Sequence, residues 1–182
     1  PIADETSYSF DPGLRLLGVP IQAFDRSPNA IFPGCAIRGH GNGTQYTIPT
    51  AINRGIGYWV KFDHSLDVQV QGDLPDDPYT VDFSSGGWHM AANPFEQALP
   101  WSGVDCPTEL DFAWIYNSET HGYELVADVD GLSVRTEIPP WRGFWTKLSH
   151  AGTVEMSATG AVSTRVEPLS LEPQTERDWI VN

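Results

Sequence analysis

The sequence predicts an all-β chain in which one unit is written twice. Three observations carry that prediction. Glycine (17) and proline (15) are frequent among the 182 residues, which favours short strands and many turns over long helices. Several short runs alternate apolar and polar residues, the period of a half-buried strand. Finally, residues 57–62 read Gly-Tyr-Trp-Val-Lys-Phe and residues 143–148 read Gly-Phe-Trp-Thr-Lys-Leu, each behind a glycine- or proline-marked turn.

Taken in order, residues 1–9 read as a polar lead-in and residues 10–72 as the first β repeat. A turn at Asp11-Pro12-Gly13 precedes an apolar strand, Leu14 to Val19, which Pro20 ends. Gln22 to Gly43 is rich in proline and glycine and reads as a surface loop without the spacing of a phosphate-binding loop. The hexapeptide follows, and then the alternating Val68-Gln69-Val70. Residues 73–82 read as a linker and residues 83–158 as the second repeat. There Trp88 to Asn93 matches Leu14 to Val19, and Phe112–Tyr116 with Tyr123–Val126 makes a hairpin pattern. Tyr46 and Tyr123 correspond across the copies. Counted from Gly57 and Gly143, His64 matches His150, and Val68 and Val70 match Val154 and Met156. Residues 159–182 read as an extended tail or a linker to a further element. The repeats are expected to pack with approximate two-fold pseudo-symmetry, sandwich- or barrel-like.

Composition narrows the function classes. At 40% hydrophobic residues, a packed core is within reach and general disorder is not expected. A net charge of −14, with only ten Lys plus Arg, argues against nucleic acid and against an anionic membrane surface. No apolar run approaches the ~20 residues of a membrane span. With Pro1 first and no initial methionine, a processed or excised piece is one expectation. The two cysteines, Cys35 and Cys106, fall in different repeats; a secreted domain would join them and a cytosolic one would keep them reduced.

Gly87-Trp88-His89-Met90-Ala91-Ala92-Asn93-Pro94, followed by Pro140-Trp141-Arg142-Gly143-Phe144-Trp145-Thr146-Lys147-Leu148, resembles a tandem "GWNxIGNP … PGxGYWVK" module. That module occurs near the C-termini of secreted or cell-surface proteins of bacteria that use type IX secretion. The resemblance spans residues 8–158, and the first copy departs from it with Leu14 where a tryptophan would follow Gly13. It implies an extracellular, β-rich, non-catalytic part of a longer protein.

Few residues offer chemistry. The five histidines show no HExxH or similar spacing, and no GxSxG elbow occurs. Asp128-Val129-Asp130-Gly131 places hard oxygens at alternate positions before a glycine turn, as calcium binding would need, although a plain Asp-Gly hairpin turn is the favoured reading. Trp59 and Trp145 are expected in the core by their place in the repeat. Trp88, Trp101, Trp114 and Trp141 could stack on sugar rings, although core packing is the favoured reading; Trp141, beside two prolines, is the best exposed candidate. The expected function is a non-catalytic structural, adhesion or assembly module of a larger surface protein. Its partners would be other domains of the same polypeptide or neighbouring surface subunits. A carbohydrate-binding module using Trp141 and Trp101 is the alternative, and a secreted hydrolase the third reading.

Overall fold

The structure, a computed structural model, describes residues 3–41, 45–106, 112–128 and 134–160. It is all-β, with every strand pair antiparallel and no closed barrel among the described residues. The first half joins β1 (Asp4–Phe10), β7 (Leu66–Asp73) and β3 (Gln22–Ala23) in one sheet, in the order β1-β7-β3. Its second sheet runs β2-β6-β4-β5, from β2 (Gly13–Leu17), β6 (Tyr58–Phe62), β4 (Ala36–Gly41) and β5 (Gln45–Thr47). A single helical turn, α1 (Pro28–Ile31), sits between β3 and β4.

The second half repeats both orders. β8 (Tyr79–Phe83), β16 (Gly152–Met156) and β11 (Val104–Asp105) form one sheet in the order β8-β16-β11. β9 (Gly87–Ala92), β15 (Gly143–Leu148), β12 (Phe112–Asn117) and β13 (Gly122–Ala127) form the other, in the order β9-β15-β12-β13. Register agrees as well as order. Gly13 lies opposite Phe62 as Gly87 lies opposite Leu148, and Tyr46 opposite His40 as Tyr123 opposite Tyr116. Among the described residues the second half adds a small pair, β10 (Leu99–Pro100) with β14 (Glu137–Ile138), and a 3-10 turn at Trp101–Gly103.

Alternation decides what faces inward. In β6, Tyr58, Val60 and Phe62 are buried with Val68 and Val70 of β7 in one core; in β15, Phe144 and Leu148 are buried with Val154 and Met156 in another. Each half is therefore a small sandwich. Trp59 and Trp145 take the opposite face of their strands and are half-exposed, which corrects their expected place in the core. The strand period puts a residue flanked by core positions on the outer side.

The halves hold each other by reciprocal contacts. Leu17 bridges Arg142, and Ala91 bridges Ile56. By register Leu17 corresponds to Ala91 and Arg142 to Ile56, so the two bridges exchange under the repeat. The same swap recurs in the hydrogen bonds Gly18 N–H to Trp141 O (3.3 Å) and Ala92 N–H to Gly55 O (2.9 Å). Reciprocity of this kind is what a two-fold relation produces. At its centre Gly18 faces its own counterpart. A Cβ on Gly18 would stand 2.0 Å from that of Ala92, so the approach requires glycine.

Some expected boundaries move. The lead-in is largely strand β1, because Thr6 and Phe10 turn inward on β7. The second half begins at Tyr79, inside the expected linker. β4 lies within the passage read as loop; its short Ala-Ile-Arg-Gly segment has too few apolar positions to show the alternation. Apart from Thr159 and Gly160, the expected tail lies outside the described residues.

Candidate functional site

Where the halves meet on one side, they leave a cleft of about 550 Å³. The first half contributes Tyr8 and the turn Asp11-Pro12 after β1, together with Arg15 on β2. The second half contributes the β12–β13 hairpin at Tyr116–Glu119, then Glu124, Arg135 and the turn from Pro139 to Arg142. Three of the eight arginines in this acidic chain converge there.

Each arginine is held differently. Arg135 forms a 3.1 Å ion pair with Glu124, whose carboxylate also accepts from the Asn117 amide. Asn117, in the mouth of the hairpin, in turn accepts from the Glu119 and Thr120 amides (2.8 and 3.2 Å), a side-chain turn that fixes the hairpin's shape. Arg15 donates to the Asp11 carbonyl at 3.1 and 3.3 Å and crosses the junction to the Ser118 hydroxyl. Half-buried Arg142 makes one long bond, 3.5 Å, to the Tyr116 carbonyl. Neither Arg15 nor Arg142 has an ion pair among the described residues.

The electrostatics follow from this arrangement. The Asn117 hydrogen bond, and then the Arg135 bond and the Arg135 and Arg142 charges, hold the Glu124 carboxyl below its ordinary range against a smaller opposing effect of burial. Burial, with the charges of Arg15 and Arg135, lowers the Arg142 pKa. Among the described residues the Arg15 and Arg142 guanidiniums hydrogen-bond only neutral oxygens, and the Glu124 charge acts on Arg142 without forming an ion pair with it.

Trp141 forms the floor. It is 3% exposed, and its ring meets Phe10 at 5.8 Å and Tyr8 at 6.1 Å, inside the first half's core. The expected exposed sugar platform at Trp141 is therefore corrected. The proline turn delivers it into the other half, an effect that sequence neighbours do not show. Trp101 is 1% exposed and packs edge-on to Phe144, so it is corrected likewise. Asp128 is an exposed residue after β13, while Asp130 lies outside the described residues, so the calcium pairing is not described. Cys35 and Cys106 pack on different cores and are not joined in a disulfide. No group of three or more His, Cys, Asp or Glu that could hold a metal occurs among the described residues.

The opposite side of the junction shows what the cleft has lost and gained. By register His89 replaces Arg15, Ile56 replaces Arg142, Gly55 replaces Trp141 and Val81 replaces Tyr8. Gly55 has φ +75°, and a Cβ there would come within 2.5 Å of Val81 and 2.7 Å of Tyr79. Tyr79 covers the site further, stacking under Arg54 at 4.5 Å. His89 is buried against Phe83 and bonds the Ser85 carbonyl at 2.8 Å. One side of the junction is sealed by packing, and the other is open and lined by three arginines with three carboxylates, Asp11, Glu119 and Glu124. Arg15, Tyr116 and Arg142 were not singled out from sequence. Their signal was available, since each departs in chemistry from its counterpart in the other copy.

Compared with known proteins, the chain matches no family model, no curated protein and no solved structure.

Proposed function

We propose that the chain is a non-catalytic recognition module of a larger extracellular or cell-surface protein, and that it holds a polar ligand in the cleft between its halves. The observation carrying this reading is the broken symmetry of the junction. Packing alone would be satisfied by the sealed side, yet on the open side the two halves together place arginines, tyrosines and an asparagine. Binding is favoured over hydrolysis by the character of the groups. Glu124 is engaged as an ionised acceptor instead of being raised toward an acid role, and the Ser118 hydroxyl contacts Arg15 instead of a base. The surface setting rests on the resemblance of residues 8–158 to the secreted tandem module, and neighbouring domains or subunits are the proposed partners.

A glycan array probed with the chain and with Ser118→Trp, which fills the cleft, tests the reading. Retention of a glycan class by the native chain and its loss in Ser118→Trp is expected. Undiminished retention in the variant, or no retention by the native chain, contradicts it.

A further inference from the structure

Resting on the cleft as a recognition site, we infer that its ligand is a carboxylate-bearing sugar, with the acid group taken by Arg15 and Arg142 and the ring laid against Tyr8 and Tyr116.

The cation pair carries the first part. A guanidinium has five N–H donors arranged in a fork that matches a carboxylate. Arg142 uses one of them, at 3.5 Å, and Arg15 bonds a carbonyl and a hydroxyl. A half-buried cation beside a second cation is costly unless an anion joins them. Glu124 is already committed to Arg135 and Asn117, and Asp11 and Glu119 are exposed at the rim. The missing partner is supplied by the ligand, through charge-assisted hydrogen bonds to both arginines.

The walls carry the second part. Tyr8 is 44% exposed, so its ring has a free face, and Tyr116 is held edge-on by Trp59 at 4.9 Å and by Tyr123 at 5.7 Å. Fixed aromatic faces suit the C–H side of a pyranose. Asp11, Glu119 and Asn117 stand where hydroxyl groups would donate and accept. A peptide with apolar side chains would call for apolar pockets, and apart from Pro12, Pro139 and Pro140 only Leu17 and Ile115 supply aliphatic lining among the described residues.

Trigalacturonic acid, its carboxyl-reduced neutral trisaccharide and triglutamate, each titrated into ¹⁵N-labelled protein, distinguish these demands. The acidic trisaccharide alone is expected to shift the amides of Tyr116, Asn117, Ser118 and Arg142. Its Kd should rise at least about tenfold in Arg142→Gln and again in Arg15→Gln. Arg38→Gln, which removes a cation from β4 outside the cleft, should leave the Kd unchanged, and matching backbone spectra establish that the variants fold. Equal binding of the neutral trisaccharide overturns the carboxylate assignment, and equal binding of triglutamate overturns the sugar. If none of the three perturbs the cleft amides, the inference fails. The wider recognition reading then stands or falls separately on the array with Ser118→Trp.

Discussion

At the scale of single residues, side chains that hold the fold differ from those proposed to meet a ligand. Asn93 belongs to the first kind. It is fully buried, donates to the Gln97 and Ile138 carbonyls at 2.8 and 2.9 Å, and accepts from the Phe95 amide at 2.9 Å. Asn93→Ala leaves three backbone groups without partners and should cost about 3 kcal/mol in a urea titration. Trp141 belongs to the same kind despite lining the cleft. Its φ of +61° is unusual for a bulky residue, and the Phe10 and Tyr8 contacts hold it there. Trp141→Ala should cost about 3–5 kcal/mol, as truncation of a core tryptophan does. A change below about 0.5 kcal/mol would return Trp141 to the role of an exposed platform. The burial of Trp141 was not legible in the sequence because the core it fills belongs to the other half. Likewise Arg15 and Arg142 are ordinary strand and turn arginines until the two halves are brought together.

Among elements, the strand period was the more reliable guide. The spacing from Gly57 and Gly143 to Val68 and Val154 foretold two strands per copy, and both occur as β6–β7 and β15–β16. The matched Tyr46 and Tyr123 occupy equivalent register positions on β5 and β13. The period was misapplied at Trp59 and Trp145. Their neighbours Tyr58, Val60, Phe144 and Thr146 take the inward positions, so both tryptophans lie on the outer face. The β12–β13 hairpin is the element on which the cleft depends, and its charge makes it sensitive to acid. Glu124 is held below its ordinary value of 4.5, first by the Asn117 hydrogen bond and then by Arg135. A depressed folded pKa contributes stability that is present above the unfolded value and is lost as pH falls through the folded one. The Asn117 side-chain amide resonance should therefore hold steady from neutral pH down to the ordinary carboxyl value of 4.5 and move only at lower pH. In Glu124→Gln that movement should disappear; if it persists, the hairpin's acid response belongs to another carboxylate.

For the whole molecule, the matched architecture of the two halves accounts for how they lock together. The halves interlock because the turn before each key strand enters the other half's territory, Trp141 in one direction and Ile56 in the other. Glycine at position 18 permits the closest approach between the copies. Gly18→Val would force the halves apart and should lower stability by about 1–3 kcal/mol, read as a shift in the urea midpoint with one cooperative transition retained. The symmetry organises the chain, and its breakage on one side opens the cleft. That cleft exists only while the two sandwiches are locked together, because Arg15 is supplied by one and Arg142 by the other. Amide hydrogen exchange at Gly18 and Ala92, the matched donors across the junction, tests this locking directly. Both amides are predicted to exchange only through global unfolding, as slowly as the central amides of β6 and β15. Exchange at Gly18 and Ala92 faster by orders of magnitude than in those strands would show that the halves open independently, and would contradict a binding site built jointly by both.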